Sequence, residues 1–294
     1  MRVIEHVIEY RGRATELTLY PLADIHLGNR ACDEDRLDAT LDAIAADKDA
    51  RYVFLGDQFD AINAKDPRFD VRALPLWLVE SWYEGRTIAE AQRDNLLQRI
   101  LARPKLKGKC LGVIKGNHEH TIYHWSEIDM YNPLVEAVKV GDQPLALDTS
   151  GFIVLRFRRI SGESTQGQTF TLTVYLHHGW GGGDLSGGVA LKLEREMDRY
   201  DADLFLMGHH HKIQTPTQAR PLRVNDALQL VQPPDKQGAI CGTYMRGRVS
   251  DVDTYQERKG YRPSPASSSV MIKIRPDKEE VDMVSRTRQA AVVL

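Results

Sequence analysis

Five short apolar segments of this chain each end in a cluster of aspartate, asparagine or histidine residues. Because ligands bind at the carboxyl ends of strands in an open α/β sheet, five such endings predict one shared site. The pattern restricts the chain to folds in which several strands deliver their last residues to one region. The clusters are Asp24-Ile25-His26, Gly56-Asp57-Gln58-Phe59-Asp60, Gly116-Asn117-His118-Glu119, His177-His178-Gly179 and Gly208-His209-His210-His211.

Strands and helices alternate along most of the chain. Residues 33–48 carry apolar side chains at helical spacing, and they lie between apolar segments at 16–25 and 51–57 that are typical of strands. This order predicts a parallel βαβ unit, and hence an α/β fold. The further elements predicted are a helix at 87–103, a strand at 109–117, a hairpin over 151–176, a helix at 188–200, a strand at 201–211 and strands within 238–275.

The chain is predicted to form a single domain over residues 1–294. Thr87 and Glu90 have the spacing of a capping box in front of the helix at 87–103. The segment 61–108 lies between two clusters, and we expect it to cap the site or to cover the sheet. The polar stretch from Pro276 onward is expected to fray.

Composition favours an ordinary intracellular globular protein. The formal net charge of the 294 residues is −2, so no global field attracts polyanions. Cys32, Cys110 and Cys241 are an odd number of widely spaced cysteines, which predicts reduced thiols and a cytoplasmic location. No apolar run of about 18 residues predicts a membrane span, and the N-terminus lacks the pattern of a signal peptide. No feature of the sequence specifies an oligomeric state.

The histidines are concentrated in the clusters. The chain has ten histidines, and only His6 lies away from the five clusters. Each cluster alone is compatible with a turn, a cap or a solvated surface tract. Together they combine carboxylate, amide and imidazole groups, which suit divalent metals such as manganese, zinc, iron or nickel. The cysteines lie outside the clusters, which argues against a thiolate zinc site.

The order D-x-H, G-D-x-x-D, G-N-H-E, H and G-H-x-H resembles the calcineurin-like metallophosphoesterase superfamily. The resemblance extends over residues 24–211. It implies two packed mixed β-sheets flanked by helices, a four-layer α/β/β/α sandwich. The segments GDQFDA, DPRF and GNHE resemble phage-encoded and DNA-repair members more than Ser/Thr protein phosphatases. The latter usually carry R-G-N-H-E, whereas Lys115 stands at the arginine position here.

The resemblance implies two divalent metal ions that share Asp57. Manganese is the expected metal, with zinc, iron or nickel as alternatives. The fourth cluster contributes either His177 or His178, and the residues that follow favour His177. The first metal is then held by Asp24, His26, Asp57 and His211, and the second by Asp57, Asn117, His209 and the histidine of the fourth cluster.

The resemblance also implies the catalytic groups. A water bridging the two metals loses a proton near neutral pH and attacks the phosphate as hydroxide. His118 is expected to protonate the leaving-group oxygen, and Glu119 to orient the ring of His118. Asp60 is expected to contact a metal ligand and orient it without binding the metal itself.

The residues that select the substrate are less clearly indicated. His120, His124 and Lys115 follow or precede the third cluster and are candidates for substrate contact, with loop packing and solvated charge as the alternatives. Residues 243–262 contain basic residues interleaved with tyrosines, which is typical of nucleic-acid binding. Their acidic residues weaken that interpretation.

Three functions are consistent with these patterns. The first is a phosphodiesterase, a nuclease or nucleotide hydrolase that binds nucleic acid or nucleotides. The second is a phosphomonoesterase acting on protein or small-molecule phosphates. The third is a non-catalytic scaffold, against which the complete set of ligands argues. No membrane partner is expected.

Overall fold

The computed structural model describes residues 1–66, 68–161, 164–182, 185–250, 257 and 268–287. Its α-helices are α1 (Glu34–Ala46), α2 (Leu76–Tyr83), α3 (Ile88–Leu101), α4 (Asn117–Ser126), α5 (Tyr131–Val138) and α6 (Ser186–Arg199). Its strands are β1 (Arg2–Tyr10), β2 (Leu17–Leu22), β3 (Ala50–Leu55), β4 (Cys110–Ile114), β5 (Ser150–Ser161), β6 (Ser164–His177), β7 (Leu204–Met207), β8 (Ile213–Gln214), β9 (Thr217–Gln218), β10 (Arg223–Val224), β11 (Leu230–Val231), β12 (Lys236–Thr243), β13 (Ser268–Arg275) and β14 (Glu280–Thr287). Short 3-10 helices cover Val71–Ala73, Pro104–Leu106 and Pro276–Lys278.

The strands form two mixed half-sheets that share hydrogen bonds at one corner. The order is β1-β5-β6-β7-β12-β13-β2-β3-β4, with β14 beside β13 and with β8 and β9 beside β12. Strands β12 and β13 pair only at Gly242 with Ser269 and at Thr243 with Ser268. The two predicted sheets are therefore present, and the corner between β12 and β13 joins them into one hydrogen-bonded path.

Apolar side chains from both half-sheets form one buried core. Ile153 and Leu206 of the first half lie in the same cluster as Val53 and Ile272 of the second. Helices α1, α3 and α5 cover the outer face of the second half, and α6 covers the outer face of the first. This arrangement confirms the predicted order of helix, sheet, sheet and helix layers.

Two strands at the ends of the chain were not predicted from the sequence. Strand β1 pairs in parallel with β5 and buries every second residue from Ile4 to Tyr10. The prediction that the chain frays from Pro276 is wrong for 276–287, because β14 pairs with β13 along its whole length. Residues 288–294 lie outside the described part of the chain.

The segment between the second and third clusters packs as helices. Helix α3 begins after Thr87, whose hydroxyl oxygen accepts a hydrogen bond from the backbone N–H of Glu90, as the capping box predicts. Leu96 and Ile100 of α3 join the core under α1, whereas Leu78 of α2 packs in a smaller cluster. The division of the chain into domains stays a prediction. Among the described helices, none has the length and apolar character that crossing a membrane requires.

Candidate metal centre

The clusters that follow β2, β3, β4, β6 and β7 meet at one edge of the two half-sheets. Strands β2, β3 and β4 run parallel, as do β6 and β7, so their carboxyl ends point in one direction. The left-handed backbone region is sparsely populated by residues other than glycine. Here it turns side chains sharply inward at the strand ends. The non-glycine residues of the clusters that adopt it are Asp24, His26, Asp57, His209 and His211, with φ between 50° and 71°.

The first donor group comprises Asp24, His26 and His211. Their ligand atoms all lie within 4.8 Å of one another. The Nε2 atoms of His26 and His211 are 3.1 Å apart, and Nε2 of His211 is 3.4 Å from Oδ1 of Asp24. The other oxygen of Asp24 accepts a hydrogen bond from the backbone N–H of His209 at 2.7 Å. This bond aims Oδ1 toward the imidazoles.

The second donor group comprises Asp57, Asn117, His178 and His209. Oδ1 of Asn117 lies 3.1 Å from Nε2 of His178 and 2.9 Å from Nδ1 of His209. Each histidine is oriented through its other ring nitrogen. Nδ1 of His178 donates to the carbonyl of Leu55 at 2.7 Å, and Nε2 of His209 donates to the carbonyl of Gly181 at 2.9 Å. Such second partners fix the tautomer that leaves a lone pair for a metal.

Asp57 contributes to both donor groups. Its Oδ2 lies 3.2 Å from Nε2 of His178 and 3.9 Å from Nε2 of His26. Its Oδ1 accepts a hydrogen bond from the backbone N–H of His118 at 2.9 Å. The carboxylate therefore lies between the two donor groups, and a backbone hydrogen bond fixes its orientation.

The electrostatics of the two groups fit divalent cations. Asp24 and Asp57 are 0% and 2% exposed, and buried charges are normally paired or bound to metal. Burial alone would raise the pKa of Asp57, but the imidazoles of His178 and His118 lower it well below its usual range. Oδ1 of Asp24 has no hydrogen-bond partner among the described residues. Ionised carboxylates, imidazoles and an amide oxygen form a ligand set that suits borderline metals.

The structure places His178, rather than the favoured His177, in the second donor group. His177 is the last residue of β6, and its Nδ1 accepts a hydrogen bond from the backbone N–H of Gly179. Its ring packs 5.1 Å from that of Trp180. Since successive side chains of a strand point to opposite faces, only one of the two histidines can face the centre.

His118 lies at the rim of the same centre. Its Nδ1 donates a hydrogen bond to the carbonyl oxygen of Asp60, which leaves Nε2 facing outward from that contact. Nε2 lies 4.0 Å from Oδ2 of Asp57, and the ring packs edge-on against His26 at 4.7 Å. Burial lowers the pKa of His118, but the carboxylates of Asp57 and Asp60 more than offset this and the pKa is raised.

Glu119 does not contact the ring of His118, contrary to its expected role. Its Oε2 accepts hydrogen bonds from the backbone N–H groups of Gly116 at 2.8 Å and Asp57 at 3.0 Å. Its Oε1 accepts from the N–H of Phe59 at 3.2 Å. The ring of His118 is oriented by the backbone of Asp60 instead. The buried carboxylate of Glu119 therefore clamps the loops after β3 and β4 together.

The loops after β3 and β4 approach so closely that glycine is required at two positions. A Cβ on Gly116 would lie 2.1 Å from Oδ1 of Asp57 and 2.7 Å from Oε2 of Glu119. Gly56 has a φ of +90°, and a Cβ there would lie 2.3 Å from Nδ1 of His178. Both glycines therefore allow the donor groups to come together.

Asp60 and Arg68 lie around the donor groups. As expected, Asp60 stands behind a candidate ligand, since its Oδ1 is 3.6 Å from Nδ1 of His26. Arg68 was not predicted. Its Nη1 lies 3.4 Å from Nε2 of His118, and its guanidinium is held by Asp66. The segment 61–108 therefore delivers a cation to the rim of the centre.

The residues predicted to contact substrate lie apart from the donor groups. His120 and His124 are exposed on α4, and His124 packs edge-on against Trp125, which is 71% exposed. The ammonium of Lys115 lies 4.8 Å from the centroid of the Tyr131 ring. Among the described residues, neither histidine belongs to a donor group.

The basic segment 243–262 is only partly described. Arg246 forms an ion pair with Asp33 at 2.9 Å, and Arg248 lies 3.9 Å from Glu257. Its other basic residues, Arg258, Lys259 and Arg262, lie outside the described residues. The nucleic-acid interpretation of this segment remains a prediction.

The glycine-rich loop after β6 is tied to the second donor group. The ammonium of Lys192 in α6 donates to the carbonyl oxygens of Trp180 at 2.9 Å and Gly182 at 2.8 Å. The carbonyl of Gly181, between them, accepts from His209. Lys192 thereby fixes the loop that orients a candidate ligand.

The chain matches no family model and no curated protein. Among solved structures, a conserved uncharacterized protein of Streptococcus pneumoniae TIGR4, described as a predicted phosphoesterase, is 11% identical, with 92% of this chain and 99% of that chain covered and a TM-score of 0.32. A single mutant of Vps29 from Entamoeba histolytica is 12% identical, with 92% of this chain and all (100%) of that chain covered and a TM-score of 0.34. Scores this low carry no information on the function of this chain.

Proposed function

We propose that this chain is a metal-dependent phosphoesterase with a dinuclear centre, and that phosphodiesters of the nucleotide or nucleic-acid class are its substrates. The observation that carries the proposal is the position of Asp57. One carboxylate lies between two donor groups that converge from separate strand ends. A pair of neighbouring divalent sites suits in-line displacement at phosphorus, because it can hold both the attacking and the leaving oxygen.

Different residues of the chain have different roles in the proposed reaction. Two bound divalent cations would supply Lewis acidity and an activated water nucleophile. His118 presents Nε2 at the rim, where it can hold a proton for the leaving-group oxygen. The carbonyl of Asp60 fixes the direction of that ring. The clamp made by Glu119 fixes the distance between the loops that carry Asp57 and Asn117.

A cavity lies at the end of α4 that is remote from the donor groups. It measures about 450 Å³, lies between the segment 61–108 and the end of α4, and is lined by Asn63, Lys65, Trp82, Arg86, Ser126 and Ile128 among others. Helix α4 starts at Asn117, so its last residue lies about 14 Å along the helix from the centre. We therefore propose that the substrate extends from the centre far enough to place one of its organic groups in the cavity.

The phosphomonoesterase and scaffold alternatives predict different activities. After chelation and reloading with Mn²⁺, we expect faster hydrolysis of bis-p-nitrophenyl phosphate than of p-nitrophenyl phosphate. The D57N variant, the blank, should hydrolyse neither. Preference for the monoester would favour the second function, and turnover that needs neither metal nor Asp57 would contradict the proposal.

The role of His118 has its own test. We expect H118A to keep its bound metal and to lose most turnover on alkyl esters, whose leaving groups need a proton. Aryl esters should be affected less because p-nitrophenolate leaves without one. Equal losses on both classes of ester would contradict the assignment of His118 as the acid.

A further inference from the structure

The guanidinium of Arg68 lies beside His118, the candidate acid. Its Nη1 is 3.4 Å from Nε2 of His118, the ring atom that faces the leaving group in the proposed reaction. The same Nε2 is 4.0 Å from Oδ2 of Asp57, the carboxylate shared by both donor groups. Arg68 and the donor groups therefore flank His118 on two sides.

Asp66 holds Arg68 in this orientation. Its Oδ2 accepts from Nη2 at 2.7 Å, and its Oδ1 accepts from Nε at 3.0 Å and from the backbone N–H of Arg68 at 2.8 Å. The backbone adds two turn hydrogen bonds, from Asp66 to Asn63 and from Phe69 to Asp66, both at 2.9 Å. A two-pronged carboxylate contact fixes the plane of a guanidinium, so Nη1 needs little reorganisation to bind an anion.

The charge of Arg68 suits a centre that receives an anion. A cation beside a centre built for two divalent metals is repelled by them, and screening is weak at a partly buried site. Asp66 offsets this charge in the resting protein, and a phosphate would offset it during binding. The side chain of Arg68 is 33% exposed, so solvent reaches part of it.

We propose that Arg68 binds a non-bridging oxygen of the substrate phosphate, beside the leaving-group oxygen that His118 faces. This inference rests on the proposed phosphoesterase function and adds a residue that contacts the substrate. Because Arg68 comes from the segment 61–108, that segment belongs to the substrate site rather than serving only as a cover for the sheet.

The chain contains a matched control four residues later. Asp70 and Arg72 repeat the same fork, with Nε to Oδ1 at 3.1 Å, Nη2 to Oδ2 at 3.0 Å and the backbone N–H to Oδ1 at 3.0 Å. The side chain of Arg72 is 72% exposed. R72Q removes an equivalent fork, so it separates loss of the turn from loss of phosphate binding.

The experiment measures binding of inorganic phosphate to the Mn²⁺-loaded protein by isothermal titration calorimetry, which needs no turnover. We expect R68Q to weaken phosphate binding about 10- to 100-fold, the loss of one charge-assisted hydrogen bond. R68K should fall between R68Q and wild type, because lysine keeps the charge and loses the fork. R72Q should stay within about twofold of wild type, as should Mn²⁺ affinity in every variant.

The outcomes separate this inference from the proposed function. Phosphate binding by R68Q equal to that of wild type, or no phosphate binding by the wild type, would overturn it. Loss of Mn²⁺ binding in both R68Q and R68K would assign Arg68 a structural role and also overturn it. A wild-type protein that binds phosphate through Arg68 and hydrolyses no ester would support the inference while contradicting the hydrolytic function.

Discussion

The clamp made by Glu119 predicts a large loss of stability from a single-atom change. In E119Q one carboxylate oxygen becomes an NH₂ donor, although three backbone N–H groups need acceptors there. If the remaining side-chain oxygen accepts the hydrogen bonds from the N–H groups of Gly116 and Asp57, the N–H of Phe59 faces the NH₂ group of the glutamine, which is also a donor. Glu119 is 2% exposed, so water cannot replace the lost partner.

The magnitude follows from these contacts. One buried N–H without an acceptor costs about 1–3 kcal/mol, and weaker bonds from an uncharged acceptor add about 1 kcal/mol. Burial and the charge of Asp57 raise the pKa of Glu119, so removing its charge recovers part of that cost. We expect E119Q to lower the free energy of unfolding by about 2 kcal/mol.

The assay is urea denaturation in the presence of a chelator, so that bound metal does not contribute to stability. Glu90 is the control because it is the third residue of α3, as Glu119 is of α4, and its carboxylate accepts an exposed hydrogen bond from the hydroxyl of Thr87. E90Q should change the free energy of unfolding by no more than about 0.5 kcal/mol. Equal effects of E119Q and E90Q would refute the clamp.

Three further predictions concern metal binding. Replacing a residue that only supports a metal ligand typically weakens metal binding about 10- to 100-fold, and we expect H178A to weaken Mn²⁺ binding by more than this. H177A should keep the affinity of the wild type for Mn²⁺. Weaker Mn²⁺ binding by H177A than by H178A in calorimetry would restore His177 as the ligand. K192M should weaken Mn²⁺ binding by about 10-fold because the loop carbonyl that orients His209 loses its anchor, and an unchanged affinity would contradict that link. Burial lowers the pKa of His178, but Asp57 raises it to about 10 in the metal-free protein, so at pH 8 the ring is protonated and must release its proton to bind metal. Calorimetry in buffers of different ionisation enthalpy should detect that proton, and an observed enthalpy independent of the buffer would contradict the prediction.

The donor groups were predictable because strand ends and ligand chemistry coincide in the sequence. Parallel strands bring their carboxyl ends to one edge, so Asp24, Asp57 and Asn117 had to lie near one another once the strands were assigned. The choice between His177 and His178 was not predictable in this way. A shift of one residue at the end of β6 turns a side chain to the opposite face, and strand ends are the least certain part of a sequence-based assignment.

Other features depend on contacts that periodicity does not encode. Arg68 reaches His118 from a segment without regular strands, and its only sequence signal is the repeated Asp-x-Arg of residues 66–68 and 70–72. The clamp of Glu119 had a readable signal. It follows Gly116 at the capping-box spacing that identified Glu90 after Thr87.

The two strands that were not predicted, β1 and β14, differ in how clearly their sequences show the apolar alternation of a strand. Strand β1 alternates buried and exposed residues from Ile4 to Tyr10, so its period of two was present in the sequence. Strand β14 has a weaker signal, because Val281 and Met283 at alternate positions pack against the core while Val284 is 40% exposed. It lies beside β13 and takes part in ion pairs such as that of Arg275 with Glu280 at 2.8 Å, so its apolar pattern of period two covers only two residues.

The number of metal ions bound per chain tests the dinuclear centre most directly. The chelated protein would be titrated with Mn²⁺ and followed by calorimetry and by electron paramagnetic resonance, with D57N in parallel. We predict two bound ions per wild-type chain with a spectrum of magnetically coupled manganese, and loss of that coupling in D57N because the shared carboxylate is absent. A single uncoupled ion in the wild-type protein, or coupling that survives in D57N, would contradict the account.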